Sequence, residues 1–125
     1  MRTAFRISVT AAAVFATAQA IIAGNFLSGH YGALVWHNLT AGLLIVAALL
    51  SAVLALVRRP PRPILIGALL LPVFVAAQAA LGMFRVLTLH VPIGVLMIVG
   101  SWRLAAWAWR PEPVPATTTG AAVVS

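Results

Sequence analysis

The chain contains four long apolar stretches, at about residues 7–27, 34–57, 64–84 and 89–109. Each has close to the ~20 residues that cross roughly 30 Å of hydrocarbon in helical form. Hydrophobic residues make up 63% of the sequence and charged residues only 7%, a balance typical of membrane proteins. The sequence therefore predicts an all-α fold, an integral membrane four-helix bundle with up-down-up-down topology.

The breaks between the stretches carry turn-forming residues. They read "SGHYG" (28–32), "RRPPRP" (58–63) and "RVLT" (85–88). Proline fixes φ and removes a backbone donor, so the second break should end one helix and start the next. Residues 1–110 are predicted to form one transmembrane domain. The proline- and threonine-rich residues 111–125 are predicted to be a disordered cytoplasmic tail.

The arginines predict the orientation, because loops rich in Lys and Arg stay in the cytoplasm. Seven of the eight arginines fall on one side of the predicted bundle, and only Arg85 falls on the other. We expect a multi-pass protein of the cell membrane, in contact with lipid, with both termini cytoplasmic. The net charge of +7 thus indicates topology rather than nucleic-acid binding.

A cleavable secretory signal is the competing interpretation of the N-terminus. Arg2 and Arg6, the apolar run and "AQA" at 18–20 fit that pattern, and cleavage after Ala20 would remove the first span. The apolar run continues through "IIAGNFL", and losing the first helix would unbalance the arginines. An uncleaved first helix is therefore the favoured prediction.

An internal similarity suggests two tandem helical hairpins. "AQAIIAGNF" (18–26) aligns with "AQAALGMF" (77–84) after one deletion, and a glycine follows each of His37 and His90 by about one turn. Because Ala, Leu and Gly segments often match by chance, the Gln and His landmarks carry most of this signal. Parallel repeats of this kind are known in membrane proteins.

His37 and His90 are predicted to lie level with each other near the outer face. Each precedes an arginine of the cytoplasmic side by about twenty residues, in the second and fourth helices. These helices sit diagonally in an up-down bundle, so the two imidazoles would face one another across it. A heme b held between two neutral imidazoles fits this arrangement, with both histidines as metal ligands.

Further residues are predicted to line the same site. Gln19 and Gln78, in the outer halves of helices one and three, could hydrogen-bond a ligand or each other. Gly94 would let a porphyrin face approach the fourth helix, and Arg85 lies where a heme propionate would need a cation.

Simpler interpretations of these residues remain open. Either histidine could be an interfacial residue or an interhelical hydrogen-bonding residue, and His30 is expected to be a solvated loop residue. Arg85 could mark a helix end and reach towards headgroups. The tryptophans are expected to be interfacial anchors; they are Trp36, Trp102, Trp107 and Trp109.

Residues 8–107 resemble one four-helix half of heme A synthase, and also small four-helix bacterial membrane proteins of similar pattern. "AAQAALGMFRVLTLHVPIGVLMIVG" (76–100) has Gln, Gly and His in the order of that family. The resemblance implies that His37 and His90 are axial heme ligands. The family's catalytic glutamate, one turn before the histidine of the second helix, is replaced here by Leu34, and its outer-loop cysteines are absent. We therefore do not expect a hydroxylating enzyme.

The sequence thus favours a b-type cytochrome-like membrane protein for electron transfer or heme handling, with a redox partner in the membrane or outside the cytoplasm. The alternative is a cofactor-free scaffold or accessory subunit that packs or oligomerises through small-residue helix faces. The glycines of those faces are Gly24, Gly42, Gly67, Gly82, Gly94 and Gly100. A transporter is less favoured, because the predicted spans contain no acidic residue for ion coupling. The absence of cysteine excludes disulfides and thiolate metal sites.

Overall fold

A computed structural model describes residues 1–111, and within them the chain is entirely helical apart from short connections. The helices are α1 (Arg2–Leu27), α2 (Ala33–Arg58), α3 (Arg62–Met83) and α4 (Leu87–Trp109). All four are long and apolar enough to cross a membrane. The predicted all-α membrane bundle is confirmed, and α1 begins earlier than the apolar pattern indicated. Most of the predicted tail lies outside the described residues.

The four helices form a ring in which each packs against two neighbours. α1 contacts α2 and α4, and α3 contacts the same two helices, so α2 and α4 lie diagonally across the bundle. Connections this short force each helix to run antiparallel to the preceding one. The up-down order places the α2–α3 turn at the same end of the bundle as the start of α1 and the end of α4. We call this the arginine-rich end. The α1–α2 and α3–α4 turns form the opposite, histidine end.

Proline shapes the turn at the arginine-rich end as the sequence predicted. Pro61 precedes α3 and Pro63 lies in its first turn, where a missing N–H leaves no hydrogen bond unmade. Arg59 ends α2 in the left-handed conformation, with φ of 52°. Pro72 and Pro92 lie inside α3 and α4. Membrane helices tolerate such prolines because neighbouring groups compensate for the lost backbone bonds.

The tightly packed core lies mainly in the half of the bundle nearer the arginine-rich end. Its largest fully buried side chain is Phe5, and most of the remaining core consists of alanines from all four helices. Nearer the histidine end, beyond Ala16, Leu44 and Val75, Gln78 is the only buried residue among those described. Small side chains thus bring the helices close together at one end, whereas the other end is more loosely filled.

The arginine-rich end is held together by side chains that cap α4. Arg6 Nε donates a hydrogen bond of 2.9 Å to the carbonyl of Ala108, and its guanidinium lies 4.9 Å from the centroid of the Trp109 ring. The last carbonyls of a helix carry partial negative charge and have no partner within the helix. An arginine of α1 therefore donates to a carbonyl that would otherwise lack a partner at the end of α4. Residues 1–111 contain no acidic side chain with which this arginine could pair instead.

Polar side chains also link the helices within the apolar region. Trp102 Nε1 donates to Thr17 Oγ1 at 3.0 Å, and Trp109 Nε1 donates to Thr10 Oγ1 at 3.0 Å. Both bonds join α4 to α1. The sequence had suggested these tryptophans as interfacial anchors, but they also connect two helices, an interaction that hydropathy alone does not show.

Candidate functional site

The two histidines singled out by the sequence lie at the histidine end of diagonal helices. His37 is in the first turns of α2 and His90 in the first turn of α4, and both side chains are half-buried. Their helices are not neighbours in the ring but lie diagonally across it. Both histidines that the sequence singled out therefore lie at the same end of the bundle.

The His90 ring is fixed by α3. Its Nδ1 lies 3.0 Å from the carbonyl oxygen of Gln78, which can only accept, so Nδ1 carries the proton. In the neutral imidazole the lone pair is then on Nε2. A backbone carbonyl on the second ring nitrogen is the usual arrangement behind a histidine that ligates a metal.

Gly82 makes this position of the ring possible. A Cβ built on Gly82 would lie 3.2 Å from His90 Cε1, closer than most real Cβ contacts, and 3.5 Å from Nδ1, an ordinary contact distance. With any larger residue at this position, the ring or α3 would have to shift by a few tenths of an ångström. The sequence had suggested Gly82 as a packing residue; its contact is with the candidate site itself.

The Gln78 side chain is buried without a hydrogen-bonding partner. It is 6% exposed, and neither its Nε2 nor its Oε1 has a partner within residues 1–111. The amide lies against Gly94, where a Cβ would be 3.8 Å from Nε2. An unpaired buried amide costs about 1–3 kcal/mol, so it indicates a place where a polar group of a ligand or water would be stabilised.

The His37 side is organised differently. Gln19 Nε2 donates to the His37 carbonyl at 2.8 Å and also bonds Thr40 Oγ1, which ties α1 to the start of α2. The Nδ1 of His37 itself is buried and has no hydrogen-bond partner in the described chain. Gln19 and Gln78 thus do not bond each other, and Gln19 supports the backbone of His37 rather than its ring.

The two hairpins use their glutamines in reciprocal ways. In the first hairpin the glutamine side chain meets a histidine backbone carbonyl, and in the second the glutamine backbone carbonyl meets a histidine ring. The repeated Gln and His landmarks therefore lie near each other in both hairpins. The atoms that meet differ, so the two halves are not equivalent.

Arg85 lies in the turn between α3 and α4, five residues before His90. Its φ is 56°, in the left-handed region that non-glycine residues rarely adopt, and its side chain is exposed. Its backbone N–H donates to the Gly82 carbonyl at 3.1 Å. Arg85 is thus anchored beside the site, but within residues 1–111 its guanidinium forms no hydrogen bond with either histidine.

Thr40 was missed by the sequence reasoning. It accepts from Gln19 and donates to the Trp36 carbonyl at 2.8 Å, so it links the second helix to the first beside His37. A threonine one turn after a histidine is a weak signal in an apolar helix. Its role becomes visible only when the neighbouring helix is in place.

The described residues contain no cluster of three or more His, Cys, Asp or Glu side chains that could hold a metal ion. A pair of imidazoles is instead the donor set that a porphyrin iron needs, because the macrocycle supplies the remaining ligands. No protein-family model, curated protein or solved structure matches this chain. The function is therefore inferred from the residues of the site and their geometry.

Proposed function

We propose that the protein is a b-type cytochrome-like membrane protein that binds one heme between α2 and α4, with His37 and His90 as axial ligands, for electron transfer or heme handling. The observation that carries the proposal is that two half-buried histidines lie at the same end of diagonal helices, and that Nδ1 of one of them, His90, is hydrogen-bonded to a backbone carbonyl. With Nδ1 turned to the Gln78 carbonyl, Nε2 is the ring nitrogen that would donate to a metal.

The surrounding residues fit such a group. The loosely packed half of the bundle leaves half-buried positions around the histidines. Gln78 offers a buried amide without a partner, and Gly82 and Gly94 keep α3 and α4 free of bulk beside it. When bound, heme iron would supply reversible one-electron chemistry; the chain's own residues would orient the ring nitrogens, exclude water and provide hydrogen-bond partners.

Arg85 is proposed to neutralise a heme propionate at the histidine end. It is the only arginine at that end, and it occupies a backbone conformation that costs roughly 1–2 kcal/mol for a residue with a Cβ. Strain at an exposed, charged residue beside the site is consistent with a use for its side chain. Guanidinium and carboxylate groups pair with two parallel hydrogen bonds.

Electron transfer is favoured over oxygen chemistry. Two imidazoles would leave no coordination position open for oxygen or substrate. The resemblance to heme A synthase supports the ligand assignment, but Leu34 stands where that family has its catalytic glutamate. The protein is therefore proposed to pass electrons to a partner in the membrane or outside the cytoplasm, or to hold heme for one.

The proposed location is the cell membrane, with both termini in the cytoplasm. The bundle carries seven arginines at one end and Arg85 alone at the other, and the positive-inside rule assigns the arginine-rich end to the cytoplasm. The heme would then lie near the outer face, on the side of an extracytoplasmic partner.

Reduced-minus-oxidised spectra of protein purified in detergent, after expression with added heme, test this proposal. We expect a sharp low-spin band that disappears in His37→Ala and in His90→Ala. His30→Ala is the matched control, because His30 lies in the exposed α1–α2 turn and should leave the band unchanged. A colourless preparation, or a band that survives either ligand substitution, would contradict the proposal.

A second candidate function is a cofactor-free scaffold or accessory subunit, which one observation favours. Of the glycines suggested for packing, Gly67, Gly82 and Gly94 meet side chains of the bundle, but Gly24, Gly42 and Gly100 meet nothing within 4 Å in the described chain. Open glycines on membrane helices are typical of surfaces on which another helix packs. A colourless protein that loses self-association or co-purifying subunits in Gly42→Leu and Gly100→Leu would support this function.

A further inference from the structure

A groove of about 390 Å³ runs between α3 and α4 at the depth of the membrane. On α3 it extends from Gly67 to Phe74, and on α4 from Ile93 to Leu104. Gly67 lies about 8 Å from the start of α3, and Phe74 about 14 Å from its end, at 1.5 Å per residue. The side chains of Phe74 and Leu96 are exposed, so the groove opens towards lipid. It is therefore reached by molecules dissolved in the bilayer.

The lining of the groove is apolar. Among the described residues that line it, Ser101 alone has a polar side chain, and none is charged. The Ser101 hydroxyl donates to the carbonyl of Ile98 at 2.8 Å, so it is already satisfied within α4. Because a charged group buried here would have no partner in the lining, the groove suits an uncharged hydrocarbon chain.

The same faces of α3 and α4 lead to the candidate site. Gln78 follows Phe74 by four residues on α3, and His90 precedes Ile93 by three on α4. Residues three or four apart share a helix face. Towards the histidine end the groove thus leads to the buried amide of Gln78, which has no partner in the described chain, and to the ring that bonds the Gln78 carbonyl. A chain lying in the groove would place its head group about one turn from this amide.

A quinone matches the two free atoms of the Gln78 amide. Nε2 lacks an acceptor and Oε1 lacks a donor within residues 1–111. A quinone carbonyl accepts from Nε2, and a quinol hydroxyl donates to Oε1, so one amide can bind both redox forms. A phospholipid keeps its charged head at the surface, whereas Gln78 lies about 8 Å inside the end of α3. The head group that reaches the amide must therefore be neutral.

We propose that the α3–α4 groove binds the isoprenoid chain of a quinone, whose head group is hydrogen-bonded to the Gln78 amide beside His90. The amide turns about its side-chain bonds to meet the head. The use of this ligand as an electron donor rests on the proposed heme function. Oxidation of one quinol to quinone releases two protons to water at the histidine end and two electrons, which the ferric iron takes one at a time and passes to the redox partner.

Native mass spectrometry of the purified protein without heme, titrated with a benzoquinone that carries a three-isoprene chain, tests the site. We expect one quinone per chain, bound more tightly than farnesol, the alcohol of the same chain. Gly100→Leu should weaken binding about ten-fold, because the leucine side chain would fill the groove. Gly42→Leu is the matched control: neither glycine has an atom within 4 Å of an added Cβ, but only Gly100 lines the groove.

Gln78→Leu tests the head group, because it removes both hydrogen-bonding atoms at similar size. It should weaken the quinone and its quinol about five-fold each, the loss that corresponds to one hydrogen bond. Equal effects of Gly100→Leu and Gly42→Leu, unchanged binding in Gln78→Leu, or equal binding of farnesol would overturn the proposal. A low-spin heme band without quinone binding would refute this site alone, whereas a colourless protein that binds one quinone would refute the heme and support the site.

Discussion

Adding one methyl group at Gly82 tests the packing on which the candidate site depends. The Cβ of Gly82→Ala would lie 3.2 Å from His90 Cε1 and 3.5 Å from Nδ1. The ring or the helix must then move by a few tenths of an ångström, and the 3.0 Å hydrogen bond from His90 to the Gln78 carbonyl would weaken. Gly24→Ala is the matched control: the internal similarity pairs Gly24 with Gly82, both lie in the last turns of their helices, and no atom lies within 4 Å of the added Cβ.

We expect the two substitutions to change the free energy of unfolding in opposite directions. Glycine to alanine within a helix gains up to about 1 kcal/mol from propensity, and Gly24→Ala should show that gain, reduced by its position near the helix end. Gly82→Ala has the same gain, but overpacking costs about 1–3 kcal/mol and a weakened interhelical hydrogen bond costs about another 0.6 kcal/mol. We therefore expect Gly82→Ala to be less stable than Gly24→Ala by roughly 2 kcal/mol.

Equilibrium unfolding in mixed detergent, followed by tryptophan fluorescence, measures this difference. Equal stability of the two variants, or a more stable Gly82→Ala, would refute the close packing of α3 against the His90 ring. The outcome does not depend on heme. If the heme proposal is also correct, Gly82→Ala should in addition weaken the low-spin band, whereas Gly24→Ala should leave it intact.

The remaining predictions concern the turns and the α1–α4 contact. Arg85→Gly and Arg59→Gly should each stabilise the protein by up to about 1 kcal/mol through relief of left-handed strain, but only Arg85→Gly should reduce heme retention in the spectra. Thr17→Val and Trp102→Phe should each cost about 0.6–1 kcal/mol in detergent unfolding, and a double-mutant cycle should show that they are not additive. Because the chain has no cysteine, a membrane-impermeant maleimide should label Ser28→Cys in intact cells but Arg59→Cys only after lysis; the reverse pattern would contradict the orientation.

The candidate site was only partly predictable. The sequence selected His37 and His90 because their distances from arginines gave them equal depth, and depth follows directly from helix rise. It could not show that Gln78 would meet His90 through its backbone, or that Gln19 would bond the His37 carbonyl, because those contacts depend on how each helix is rotated about its axis.

Hydrophobic length and the distribution of arginines determined, from the sequence alone, that this chain forms four membrane helices with seven cations at one end. Both are local properties, set by the thickness of hydrocarbon and the helical rise per residue. Only the tertiary structure decided that small residues close one half of the bundle and that Gly82 admits the His90 ring. The physical reason is that lipid is as apolar as the side chains, so hydropathy does not distinguish the face of a helix that packs from the face that meets lipid.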